Sequence, residues 1–143
     1  MNKLDKDYQR ILQDILILGK KKEDRTGTGT LSIFGKQIRH DMSNGFPLLT
    51  TKKMAVKTMM TELRWFLKGR TDIKYLQDNN CRIWDGDYKK SGREDGSLGR
   101  VYGAQWRGWM HEYAGYIKSI DQIKQLIDNI KENPSSRRLM VSA

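Results

Sequence analysis

Near the start of the chain, Tyr8, Ile11, Leu12, Ile15 and Leu16 recur at three- and four-residue intervals. That spacing lines one face of an α-helix. Gly19 is placed to end it, because a residue without a β-carbon relieves crowding at a helix C-terminus. From Thr30 to Met42 the pattern turns strand-like, with Leu31, Ile33 and Ile38 set among polar residues. Asn44-Gly45 signals a turn, and the Pro47 ring keeps Phe46 extended. A second helical stripe, Val56, Met59, Met60, Leu63 and Leu67, is closed by Gly69. Thr71 or Asp72 then caps a short helix carrying Ile73, Tyr75 and Leu76.

Periodicity fades in residues 85–100, which are Gly-rich and charged, and the pattern predicts a long surface loop there. Ser119-Ile120-Asp121-Gln122 reads as a capping box opening a helix whose Ile120, Ile123, Leu126, Ile127 and Ile130 face inward. Asn133-Pro134 stops that helix, and Leu139-Met140-Val141 reads as a buried strand with nothing after it to pair. The mixture predicts an α+β fold with helices packed on a mixed β-sheet. With no internal repeat, residues 1–143 are expected to form a single domain.

Composition narrows the class. Hydrophobic residues make up 37% and charged residues 31%, a soluble globular balance, and no apolar run approaches a membrane span. The mixed-charge start, Met1-Asn2-Lys3-Leu4-Asp5, does not read as a signal peptide. Cys81, the single cysteine, excludes an internal disulfide and suits a reducing cytoplasm. It lies far in sequence from His40 and His111, so no zinc-type ligand set is visible and no metal is expected. Twenty-seven Lys and Arg against seventeen Asp and Glu give a net charge of +10. That excess suits an anionic partner: small phosphorylated or carboxylated ligands, or nucleic acid, although no nucleic-acid motif accompanies it.

Four places carry candidate chemistry. Arg25 precedes Thr26-Gly27-Thr28-Gly29-Thr30, which combines a guanidinium with backbone N–H groups, hydroxyls and glycines that let the backbone approach a phosphate. Spacing alone equally describes a tight turn into the following strand. Arg137 and Arg138 form a second cationic pair, although neighbours in a β-like segment point to opposite faces. Glu62 sits amid Leu63-Arg64-Trp65-Phe66-Leu67, where burial would raise its pKa toward neutrality and ion pairing with Arg64 or Lys57 would not. Ile83-Trp84-Asp85 sets an indole at the entry to residues 85–100, as a core residue or as part of a site.

These segments have a familiar order. Asp24-Arg25-Thr26-Gly27-Thr28-Gly29-Thr30, Gly45-Phe46-Pro47-Leu48-Leu49-Thr50-Thr51-Lys52-Lys53, Glu62-Leu63-Arg64-Trp65-Phe66-Leu67, Gly99-Arg100-Val101-Tyr102-Gly103-Ala104-Gln105-Trp106-Arg107 and Ser136-Arg137-Arg138 together resemble thymidylate synthase. The resemblance runs from about Tyr8 to Ala143 and covers the amino-terminal half of that family. It implies reductive methylation of dUMP to dTMP, with 5,10-methylenetetrahydrofolate as co-substrate, in a homodimer. It also implies a cysteine nucleophile in a Pro-Cys-His segment expected after Ala143, so the chain alone is expected to lack turnover. Cys81, without that flanking proline and histidine, is not the matching residue.

By the same resemblance, Arg25 binds the substrate phosphate, joined by Arg137 and Arg138 of the partner subunit. Glu62 is the general acid/base residue, acting through ordered water. Tyr102 assists removal of the C5 proton. Ile83 and Trp84 lie against the folate and shield the reacting carbon, and Lys52 attracts the folate's glutamate tail. Ala55 departs from the pattern, standing where many members carry a folate-contacting histidine. Two alternatives share these residues: a pyrimidine-nucleotide hydroxymethylase, and a non-catalytic fragment that binds anions, RNA or a complementary half.

Overall fold

A capping box starts the first helix. Asn2 Oδ1 accepts the Asp5 N–H at 2.7 Å, and Asp5 Oδ2 accepts the Asn2 N–H at 3.3 Å. Together they satisfy donors that α1 (Lys3–Leu18) cannot satisfy internally. In this computed structural model, which describes residues 2–25 and 27–143, the chain forms two units, Met1–Met54 and Ala55–Ala143.

In the first unit, Tyr8, Ile11 and Ile15 are half-buried, whereas Leu12 and Leu16 remain exposed. Gly19 does end α1. Its N–H reaches the Ile15 carbonyl at 2.9 Å, and a β-carbon would collide with that oxygen, so no larger residue fits without a shift. The chain continues directly into β1 (Lys20–Lys22), which pairs antiparallel with β2 (Thr30–Ser32) and sets Lys21 opposite Leu31. The strand expected over Thr30–Met42 is therefore only its first three residues. Among the described residues its sole neighbour is a three-residue strand, so no ladder extends past Ser32, and the chain runs irregularly to a 3₁₀ turn at Met42–Asn44. Asp41 caps that turn by accepting the Ser43 N–H at 2.9 Å.

The second unit holds the buried core: Trp65, Ile73, Leu76 and Cys81, with Phe66, Tyr75, Trp84, Tyr88, Leu98 and Val101 packed against them. α2 (Val56–Leu67) ends as its sequence predicts. Gly69 takes φ +66°, its N–H bonds the Phe66 carbonyl at 2.9 Å, and the Arg70 N–H bonds the Trp65 carbonyl at 3.2 Å. This double closure uses carbonyls that a helix end leaves free. Asp72 caps α3 (Ile73–Asp78) by accepting the Tyr75 N–H at 2.9 Å, and its own carbonyl takes the Trp65 indole N–H at 2.9 Å.

Residues 85–100 are not a continuous loop. Asp85–Ser91 form α4, with Asp85 and Asp87 in its first turn and Lys89 and Lys90 in its last, which matches the helix dipole. Tyr88 packs on the core, and Gly92 closes the helix at φ +65°. Only the remainder is irregular. It is fastened back to the start of α3 by the Ile73 N–H on the Gly96 carbonyl and the Leu98 N–H on the Thr71 carbonyl.

α5 (Tyr102–Arg107) passes close behind the end of α2. A β-carbon on Gly103 would meet the Arg70 carbonyl at 2.5 Å. A hairpin follows that the alternation of residues did not announce: β3 (Trp109–Tyr113) pairs with β4 (Tyr116–Ile120) through an Ala114-Gly115 turn. α6 (Gln122–Glu132) is capped by Asp121, which accepts the Lys124 N–H at 2.9 Å, and Ser119 lies within β4. Ile127 and Ile130, expected inside, are exposed. Leu139-Met140-Val141 forms no strand, and Met140 is 75% exposed. The chain is α+β, as its pattern predicts, but the sheets among the described residues are two separate antiparallel pairs.

Candidate active site

Residues four apart on a helix lie one above the other. Glu62 and Phe66 share such a face on α2, and Tyr102 and Trp106 share one on α5. Gly103 lets these helices approach, and the faces meet. The Phe66 ring lies 5.3 Å from Tyr102 at 90° and 5.6 Å from Trp106 at 65°. Trp84 completes the box, 6.3 Å from Phe66, 5.8 Å from Trp65 and 6.4 Å from Tyr102. Edge-to-face rings of this kind attract through their quadrupoles and hold one another in place.

Trp84 is positioned from behind as well. It immediately precedes α4, which Gln77 ties to α3 by donating to Asp85 Oδ1 at 3.0 Å. So held, the indole Nε1–H donates to Glu62 Oε1 at 2.7 Å. This charge-assisted bond fixes one carboxylate oxygen and leaves the other for a water or a substrate atom. Glu62 is half-buried, and its partner is the indole, not Arg64 or Lys57. Tyr102 is 45% exposed and Ile83 is 52% exposed, so the box is closed on its core side and open on the other.

The remaining predicted residues lie elsewhere. Arg25 is exposed in the connection between β1 and β2, beside the Gly27 N–H that closes on the Asp24 carbonyl at 3.2 Å. Thr26, in the Thr-Gly repeat, lies outside the described residues. Lys52 is exposed, two residues beyond Thr50, whose N–H and hydroxyl both donate to the buried Asp5. Arg25 and Lys52 thus belong to the first unit, whereas Glu62, Ile83, Trp84, Tyr102, Arg137 and Arg138 belong to the second. Arg137 and Arg138 are exposed in a turn, not a strand, so the opposite-face argument does not apply to them.

Cys81 is fully buried in the core, its thiol directed at the Thr58 carbonyl, and burial pushes its pKa up. A nucleophilic thiolate needs the reverse, a depressed pKa and access. Among the described residues, no three His, Cys, Asp or Glu side chains gather where they could hold a metal ion. None of the described helices is long and apolar enough to cross a membrane.

Sequence reasoning passed over Phe66, the hub of the box, and Asp5, the clamp on Thr50. The i, i+4 pairs Glu62–Phe66 and Tyr102–Trp106 were the available signal for the first. For the second it was Asn2 three residues before Asp5, a capping-box spacing.

A carboxylate bonded to an indole at the mouth of an aromatic box is the candidate site of this α+β protein. The sequence profile of the thymidylate synthase family matches residues 6–143, and the chain belongs to that family.

Proposed function

We propose that these residues form part of the active site of a thymidylate synthase, which methylates dUMP reductively to dTMP at the expense of 5,10-methylenetetrahydrofolate. The observation that carries the reading is the Trp84 indole bonded to Glu62 at 2.7 Å inside the aromatic box. A general acid/base must be held at a fixed height beside its substrate, and here a rigid ring does so. Glu62, acting through water on the pyrimidine carbonyl oxygen, moves the proton. Tyr102, across the box, assists loss of the C5 proton.

The folate supplies the one-carbon unit and the hydride. Exposed Ile83 beside Trp84 fits one face of its pterin, and Lys52 fits its anionic glutamate tail. Dry ring walls keep water from the reacting carbon. Arg25, with Arg137 and Arg138 of the partner subunit, binds the 5′-phosphate in a cytoplasmic homodimer. The attacking thiolate is not Cys81, which is sealed in the core.

The test is Glu62→Gln in the intact enzyme, which keeps an acceptor for Trp84 and removes the titrating proton. kcat should fall about a hundredfold or more, with dUMP affinity by calorimetry little changed. A kcat within a few-fold of the parent, at matched folded fraction, removes Glu62 from the mechanism.

A further inference from the structure

Hydrogen bonds tie the segment around the exposed Arg137-Arg138 turn to both ends of α6. At the helix's C-terminal end, the Ser136 N–H bonds the Asn133 carbonyl at 3.0 Å, and Ser136 Oγ accepts the Arg138 N–H at 3.2 Å. At its N-terminal end, Gln122 grips Ser142 with both ends of its amide. Oε1 accepts the Ser142 N–H at 2.9 Å, and Nε2 donates to the Ser142 carbonyl at 2.9 Å. The same Nε2 donates to the Gln105 carbonyl of α5 at 2.7 Å. Beside it, Arg107 pairs with Asp121 at 2.9 Å.

The span between the moorings leaves little slack. From Gln122 to Asn133 the helix rises about 16 Å at ~1.5 Å per residue. The chain returning from Ser136 to Ser142 reaches at most about 20 Å when fully extended. It makes no ladder on the way; Met140 is exposed, and Leu139 and Val141 on either side of it are half-buried. The Gln122 bonds thus set where this returning segment stands against α5 and α6.

We infer that Gln122 is a positioning residue: it fixes the height of the Arg137-Arg138 turn and ties it to α5, the helix that carries Tyr102 and Trp106. The inference rests on the proposed phosphate role of the two arginines, and it assigns Gln122 a share in recognising a 5′-phosphorylated pyrimidine without touching it.

The experiment compares kcat/KM for dUMP with that for 2′-deoxyuridine, which lacks the phosphate, in the intact enzyme. The variants are Gln122→Leu, Arg138→Ala and the double. Gln122→Leu should lower the dUMP preference about five- to tenfold and add little in the Arg138→Ala background, because both act through one contact. Ser142→Pro attacks the same mooring from the other side. It deletes the N–H that Gln122 accepts, leaves the Gln105 tie, and should lower the preference likewise, even if Gln122→Leu fails to fold. Equal losses on both substrates, or a double variant in which the losses multiply, would overturn the inference. An unchanged preference in Arg138→Ala would instead overturn the phosphate reading, and the role of Gln122 with it.

Discussion

A carboxylate's usefulness in proton transfer depends on where it is held, and Glu62 is held by the Trp84 indole. The Trp84 indole donates to Oε1 and cannot accept, so the pair is stable only while Glu62 offers a lone pair there. Trp84→Phe deletes that donor but keeps a ring of similar shape against Phe66 and Trp65. It should lower kcat roughly tenfold, the scale of one hydrogen bond to a charged group. Combined with Glu62→Gln it should cost less than the product of the two losses, because both act on one proton path. Steady-state kinetics on the four proteins checks this, and independent, multiplying losses would separate Trp84 from Glu62. Lys52 depends on a different residue: Asp5 holds Thr50, two positions away, by its N–H and its hydroxyl.

That clamp joins the start of α1 to the segment before Lys52, and it makes the first unit sensitive to acid. The Thr50 hydroxyl and N–H, with the Asn2 N–H, hold the Asp5 carboxyl below its ordinary pKa. The unfolded chain then binds this proton more readily than the folded one. The stabilisation is therefore complete above the unfolded value of about 3.9 and is lost as pH falls through the folded value. Asp5→Asn should be less stable than the parent at neutral pH, with the gap in urea midpoint closing below about pH 4; a gap constant from pH 3 to 7 would discount the clamp. Asp5 also shows what the sequence withheld. α1, α2, α3 and their stops were legible because helical periodicity and the Gly69 and Asp72 signals are local, but Val56, Met60, Leu63 and Leu67 of the α2 stripe are exposed and Trp65 is the residue that helix buries. The Thr30–Met42 strand was misjudged because a strand needs a neighbour, and β1 offers only Lys20–Lys22. α4 was missed because its seven residues carry no apolar stripe, and it stands on Tyr88, its dipole-matched charges and the Gln77–Asp85 bond. Glu62 and Trp84 were each visible, but the bond between them joins positions 22 apart and is invisible to any local pattern.

The charge of the molecule, +10, suits a doubly charged phosphate and an anionic folate, but its proposed phosphate ligands are divided. Arg25 lies in the Met1–Met54 unit, and Arg137 and Arg138 lie in the Ala55–Ala143 unit. If each site takes Arg25 from one subunit and the arginine pair from its partner, two defective chains can rebuild one sound site. In an isologous dimer of an Arg25→Ala chain with an Arg138→Ala chain, one site collects both defects and the other collects neither. Random exchange of equal amounts places half the subunits' sites in such hybrids. The mixture should then recover roughly one quarter of wild-type activity at low dUMP, well above either variant alone. Subunit exchange is followed separately by native mass spectrometry of size-tagged chains. Exchange without recovery would show that all three arginines serve a site within one subunit, or that Arg138 serves none. Recovery would mean that the Arg138 side chain acts across the dimer, in the phosphate site of the neighbouring subunit.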